Sequence, residues 1–221
     1  ASIFETLKGS YNDKYEYILP EIIFDKNLFN DDTLGTLDLQ TNLKVHNYDT
    51  NKLSNFLIND LNWQSKNLYS RLGFKSQILA NLKNINYEAK NVNQFKENTT
   101  HELFGALGFL TELDFQKNKN NFEHLLTPKI FVRLSPGSMR SETSGTRLNT
   151  LNAFSLDRLD NQNNYETGIS GALGLDYKKK NKKKEFDFSI AQVVNEKENN
   201  KMADITSLNE KLSDLVGSIG Y

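Results

Sequence analysis

Leu37, Asp38, Leu39, Gln40, Thr41, Asn42, Leu43, Lys44, Val45 and His46 are the most informative run in the chain. Leu37, Leu39, Leu43 and Val45 alternate with Asp38, Gln40, Asn42, Lys44 and His46. A period of two sends successive side chains to opposite faces, so the run predicts a strand with one apolar and one wet face. The same period returns over residues 165–177, with Tyr165, Thr167, Ile169, Leu173, Leu175 and Tyr177 on one face and Glu166, Ser170 and Asp176 on the other. Gly168, Gly171 and Gly174 are poor helix formers and reinforce that reading. Shorter versions over 15–24, 68–83, 126–134 and 186–194 bring the expectation to at least six strands, and a full meander to about ten.

The segments between them carry turn chemistry. Residues 12–14, 47–52, 118–121 and 179–184 read as short connections, 84–100, 135–163 and 195–207 as long ones, and 25–33 as a connection too long for a tight turn. Alternation of short and long connections is what an up-and-down membrane barrel produces, with tight turns on one side and long loops on the other. Three segments have helical spacing instead. Leu208, Leu212, Leu215, Val216 and Ile219 follow a possible capping box of Ser207 and Glu210, which locally predicts a helix. Leu53, Phe56, Leu57 and Leu61, and likewise Leu103, Leu107 and Leu110, fit a helical stripe as well as a strand, so a mixed α+β soluble domain stays open on pattern alone.

Composition narrows the function classes. Lysine plus arginine number 27 against 28 for aspartate plus glutamate, so no global field draws the chain to nucleic acid. Hydrophobic residues are 37%, yet there are 14 phenylalanines and 9 tyrosines against 3 prolines, a mixture suited to strands. Mean hydropathy is −0.62, and no run of about 18 apolar residues is present for a membrane helix. A membrane strand needs only about 9 to 11 residues with every second one apolar, so low hydropathy is compatible with a barrel. The chain starts at Ala1 without methionine, and any targeting segment is expected to be removed or to lie outside this sequence. It contains no cysteine, hence no disulfide framework and no thiolate metal site.

Candidate chemistry is sparse. His46, His101 and His124 lack a second histidine at metal-site spacing. Glu123 beside His124 and Glu102 beside His101 point to opposite faces of a strand and are assigned no catalytic role. Asp157, Arg158 and Asp160 cluster too loosely for a calcium loop and read as a structural salt bridge or a solvated group. The lysine run at 178–180 and 182–184 reads as a solvated hairpin tip between strands, with Tyr177 and Phe186 at an aromatic girdle. No nucleophile elbow, phosphate loop or dinucleotide fingerprint is found. No catalytic, cofactor-binding or metal residue is assigned, and the chain is expected not to be an enzyme.

The stretch HLLTPKIFVRLSPG at 124–137 resembles a strand of the LptD family of lipopolysaccharide-assembly outer-membrane proteins, in which leucine and proline precede an alternating segment closed by a second proline. NAFSLDRLDNQNNYETGISGALGLDY at 152–177 resembles the family's phenylalanine, aspartate-arginine and glycine-rich passage into the next strand. YILPEIIFD at 17–25, LDLQTNLKVHNYD at 37–49 and SDLVGSIGY at 213–221 resemble further barrel strands, the last against the helical spacing noted above. The resemblance covers nearly the whole chain and implies one unit, 1–221, that is an open middle section of a large transmembrane β-barrel. It implies a non-catalytic role in delivering lipopolysaccharide to the outer leaflet, with outer-membrane lipid, a lipoprotein plug of the LptE type and a periplasmic bridge protein of the LptA type as partners, and no cofactor.

On that reading Leu37, Leu39, Leu43, Val45, Ile169, Leu173 and Leu175 face lipid, while Asp38, Gln40, Lys44 and Glu166 line the lumen. The loop at 135–163 lies outside the cell with 84–100 and 195–207, the turns at 118–121 and 179–184 lie in the periplasm, and 153–159 folds back over the lumen. Lipopolysaccharide-contacting residues are not assigned. The alternatives are another outer-membrane barrel, a porin or receptor, or a soluble β-rich binding protein. A jellyroll encoded upstream favours lipopolysaccharide assembly, a plug domain favours a receptor, and detergent-free solubility with cooperative unfolding favours the soluble protein.

Overall fold

Strands make up 61% of the described residues, all of them in one antiparallel sheet. The computed structural model describes residues 2–4, 16–48, 51–119, 121–159 and 161–221. Its strands are β1 (Ser2–Phe4), β2 (Glu16–Asp31), β3 (Gly35–Asn47), β4 (Leu53–Gln64), β5 (Leu68–Tyr69), β6 (Phe74–Lys90), β7 (Thr100–Leu113), β8 (Phe115–Lys119), β9 (Phe122–Ser135), β10 (Gly168–Lys180), β11 (Glu185–Asn195) and β12 (Val216–Gly220). The sheet order is β1-β2-β3-β4-β6-β7-β9-β10-β11-β12, with β5 beside β6 and β8 beside β9, so the path is a meander without crossovers. Among the described residues β1 and β12 do not pair, and the sheet is open. The only other regular elements there are two single 3-10 turns, Asn152–Phe154 and Asp204–Thr206.

The strands are long: β2 has 16 residues, β6 has 17, and β7 and β9 have 14 each. Soluble strands usually stop near five or six. Register fixes which side chains share a face. Leu43 is opposite Ile22 and Leu57, Leu61 opposite Leu39 and Leu82, Phe109 opposite Ile78 and Val132, and Ile130 opposite Leu173. This is the face called outer below.

Pro128 shows how the sheet accommodates a residue with no N–H. β7 pairs with β9 up to Glu112 opposite Lys129, and β8 takes over from Phe115 opposite Leu126. Pro128 therefore falls in the gap between two neighbours, where a missing donor costs no ladder bond. Thr127 Oγ1 donates to Asp114 Oδ1 across that gap at 2.6 Å.

Several expected boundaries move. The expected connection at 25–33 is mostly strand, since β2 runs to Asp31 and turns over 32–34, where Asp31 Oδ1 accepts from the Thr33 and Leu34 N–H groups. Cross-strand pairing of Asp25 with Gln40 and Phe29 with Leu37 outweighs its polar composition. The connection at 84–100 shrinks to 91–99, because Ile85, Tyr87 and Ala89 continue the inward row of β6. Residues 165–167 precede the strand, which starts at Gly168 with φ of +120°. The helical spacing of 208–219 does not form a helix. Asn195 N–H donates to Lys211 O at 2.7 Å and Ser213 N–H to Val193 O at 2.9 Å, so this backbone bonds to β11 rather than to itself. Val216–Gly220 is a strand, and the ambiguous leucines at 53–61 and 103–110 lie in β4 and β7. Residues 12–14, 49, 50, 120 and 160, which the sequence places in turns and in the aspartate cluster, lie outside the described residues.

Candidate functional site

The two faces of the sheet differ in what covers them. On the outer face Leu103, Leu107, Phe109, Ile130, Val132, Leu134, Ile169 and Leu173 are all exposed. Along β10 this row runs from Ile169 to Tyr177, about 26 Å at 3.3 Å per residue. Trp63, Phe74, Phe115, Tyr177 and Phe186 lie toward the short-turn end, with the Tyr177 and Phe186 rings 6.3 Å apart. The same face also carries polar side chains. Thr41 Oγ1 donates to Asn59 at 2.9 Å, Asn86 Nδ2 to Asn84 at 2.6 Å, and His101 meets Asn86 at 2.6 Å.

Part of the inner face is covered by the chain itself. The connection at 136–167 folds back onto β4, β6, β7, β9 and β10. Ala153 is fully buried, and Phe154 and Leu156 pack beside Phe131, Ala172 and Ala191. Two glycines make room for it. A Cβ on Gly108 would lie 2.8 Å from Leu156, and one on Gly174 would lie 2.4 Å from the Phe154 ring.

Charge holds this latch. Arg133 is 1% exposed and donates through Nη1 to Glu166 Oε1 at 3.0 Å and through Nη2 to the Glu166 carbonyl at 2.6 Å. Arg158 donates through Nε to Glu166 Oε2 at 2.7 Å, through Nη2 to Oε1 of the same carboxylate, and to Ser170 Oγ at 2.9 Å. Burial alone would raise the Glu166 carboxyl, but the Arg158 and Arg133 guanidiniums outweigh it and hold it below the ordinary range. Lys83, buried on β6, reaches Asp157 Oδ2 at 3.2 Å and Asp60 Oδ2 at 3.4 Å, with its ammonium 5.1 Å from the Tyr165 ring centre. Burial pushes the Asp157 carboxyl up against the pull of Lys83, and pushes the Tyr165 phenol up as well.

Residues singled out from sequence fall as follows. Leu37, Leu39, Leu43 and Val45 share the outer face with Ile169, Leu173 and Leu175, while Asp38, Gln40 and Lys44 lie on the opposite face. Glu166 does not line an open space as expected; it is the centre of the buried ion cluster, because two guanidiniums converge on it. Tyr165 and Thr167 are buried within the latch rather than on the outer face, and the Tyr165 ring lies 6.1 Å from Phe104. The segment 153–159 folds back as expected, and Arg158 is structural. His46 meets Glu16 at 2.6 Å, and His124 meets the Tyr177 hydroxyl at 2.8 Å. The paired neighbours diverge: Glu123 binds Lys180 at 3.2 Å, and Glu102 binds Arg140. Among the described residues no group of three or more His, Cys, Asp or Glu side chains is placed to hold a metal. The lysine run is a hairpin tip at 181–184, where Asn181 Oδ1 accepts from the Lys183 and Lys184 N–H groups at 2.8 Å. Arg133 went unnoticed in the sequence, where its alternation with Phe131 and Ser135 was the sole signal. No family model matches the chain, and no curated protein matches it.

Proposed function

We propose that this chain is a section of the wall of an outer-membrane β-barrel that passes lipopolysaccharide to the outer leaflet, as the LptD resemblance implies. The observation that carries the reading is the uncovered apolar belt on strands far longer than soluble ones, backed by a face rich in carboxylates and amides. Uncovered apolar surface of this extent is costly in water and stable in lipid. Lipopolysaccharide is amphipathic, and a wall of this kind offers its acyl chains the outer face and its sugars the inner one. No bond of the substrate changes, so the chain needs no catalytic residue or cofactor. β2, bare on its inner side, is where a lipoprotein plug of the LptE type would lie, and a periplasmic bridge of the LptA type would meet the complete protein at its short-turn side.

The test is photocrosslinking in cells with the full-length protein, using a photoreactive residue at Gln40 on the inner face and at Leu173 on the outer. Lipopolysaccharide adducts at Gln40 and lipid adducts at Leu173 are expected. An outer-membrane protein with no lipopolysaccharide adduct at Gln40 would be a porin or receptor instead. Recovery in the aqueous fraction without detergent would make it a soluble β-rich binding protein.

A further inference from the structure

We infer that the outer face at the short-turn end of β8, β9 and β10 is a docking surface for an anionic phospholipid. Lys117, Lys119 and Lys179 take its phosphate, and the neighbouring apolar rows take its acyl chains. The inference rests on the membrane part of the proposed function and on nothing specific to lipopolysaccharide.

Register builds the surface. Lys117 stands opposite His124, His124 opposite Lys179, and Lys179 opposite Phe186, so these four form one row across β8, β9, β10 and β11. Residues directly opposite share a face, and residues two apart along a strand return to it. The next row away from the tips is Phe115, Leu126, Tyr177 and Phe188, and toward the tips Lys119 stands opposite Phe122. Lys179 lies on the same side of β10 as Ile169, Leu173 and Tyr177, which makes this the outer face.

Charge separates by face. On the inner face Lys178 pairs with Glu185, Lys180 with Glu123 at 3.2 Å, and Lys129 with Asp176. Among the described residues Lys117, Lys119 and Lys179 form no ion pair, because the nearby carboxylates Glu123, Asp176, Glu185 and Asp187 all stand in inner-face positions. Lys179 instead lies over the Phe122 ring, its ammonium 4.6 Å from the centre, while Lys117 and Lys119 are exposed. From the spacings of a sheet the three backbone positions lie within about 12 Å of one another, a span that flexible lysine chains close around one phosphate. A cleft of about 600 Å³ opens between the two hairpin tips, lined among others by Lys119, Asn121, Phe122 and the paired Glu123 and Lys180, with room for a polar headgroup.

Unneutralised cations directly beside exposed apolar surface fit an amphipathic anion. A nucleic acid or an acidic protein segment would meet the lysines and leave Phe115 and Leu126, both exposed, in water. A zwitterionic headgroup brings its own cation. Lipopolysaccharide is anionic too, but its leaflet lies at the long-loop end on the proposed reading, which leaves a phospholipid as the occupant.

For the test, the full-length protein is assembled into phosphatidylcholine vesicles, and retention of trace spin-labelled phosphatidylglycerol at the protein is compared with that of spin-labelled phosphatidylcholine. A preference of about fivefold for phosphatidylglycerol is expected, the scale of one lysine near an anionic surface. The triple variant Lys117→Gln, Lys119→Gln, Lys179→Gln should bring it to parity. The variant Lys182→Gln, Lys183→Gln, Lys184→Gln removes the same charge from the tip and should keep most of the preference. Equal retention of the two lipids by the unaltered protein, or equal loss in the two variants, overturns the inference and leaves the membrane reading standing. Displacement of the labelled phosphatidylglycerol by lipopolysaccharide more readily than by its unlabelled form would overturn it as well. A protein that does not enter the vesicles overturns both.

Discussion

β2 and β10 are neighbours in kind but opposites in environment. From Leu19 to the end of β2 every side chain is exposed, so both faces lack protein cover, although the backbone ladder to β3 is nearly continuous. β10 has the same ladder and the same exposed outer row, but Ser170 and Ala172 are buried inward and Gly174 closes against Phe154. The difference is the connection at 136–167. A long strand ladder is therefore formed without side-chain cover, and the latch adds a packed inner layer to one part of the wall only. In physical terms, β2 is held by its backbone ladder alone, whereas the β9 and β10 region carries its own core.

The largest contrast is expected from removing the charge at the centre of the latch. Glu166→Ala leaves two buried guanidiniums without their carboxylate and should cost about 3 to 5 kcal/mol. Asp25→Ala on β2 should change stability by no more than about 0.5 kcal/mol. Urea midpoints of the full-length protein give the comparison, and equal effects would remove the distinction between the two regions. Acid should act through the same group. Glu166 is held below its usual value, so the stability it contributes is present above the unfolded value of about 4.3 and is lost as pH falls through the lower folded value. Asp157 runs the other way: its raised carboxyl costs stability at neutral pH, and protonation relieves that cost first. Protease cleavage within 136–167 should thus increase only below about pH 4. In Glu166→Gln that increase should be absent.

What the sequence could disclose follows the range of the interactions. Alternation from Leu37 to His46 reports a local backbone geometry, and it names the correct outer row because successive side chains of a strand point to opposite faces. Arg133 and Glu166 are 33 residues apart, and no local pattern links them. The leucines at 208–219 misled because helical spacing is compatible with a chain whose bonds go to a neighbouring strand. Ser207, left-handed at φ of 62°, ends the 3-10 turn before a helix can propagate. Asp60 and Asp157 are likewise unlinked in the sequence, because they meet at Lys83 only through register and loop packing.

The outer row offers the next largest effect. Leu173, 55% exposed, should tolerate arginine within about 0.5 kcal/mol if it faces water. Facing lipid near mid-bilayer, Leu173→Arg should cost about 2 to 4 kcal/mol, read as impaired assembly into lipid vesicles. A neutral outcome would remove the membrane from the comparison. A smaller contrast lies within β10 itself. Gly174→Ala brings a methyl against Phe154 and should cost about 1 to 3 kcal/mol, whereas the Cβ of Gly171→Ala meets only the Phe131 carbonyl at 3.7 Å and should be nearly neutral. Equal costs would mean that Phe154 moves aside freely and that the latch is not packed.

Orientation is tested by substitutions expected to leave stability within about 0.5 kcal/mol. Strand parity puts the connections at 91–99, 136–167 and 196–215 at one end of the sheet, and those at 32–34, 65–73 and 181–184 at the other. Outer-membrane barrels carry their long loops outside the cell, so the latch enters the lumen from the extracellular mouth on the proposed reading. Ser144 is exposed at that end, and Lys182 is exposed at the opposite hairpin tip. Lys182 is preferred there to Asn181, whose side chain holds the turn. With no native cysteine in this chain, Ser144→Cys should react with a membrane-impermeant maleimide on intact cells, and Lys182→Cys only after the outer membrane is opened. The reverse pattern would place the latch on the periplasmic side and invert the wall. Labelling of both in intact cells would argue against a sealed membrane between the two ends.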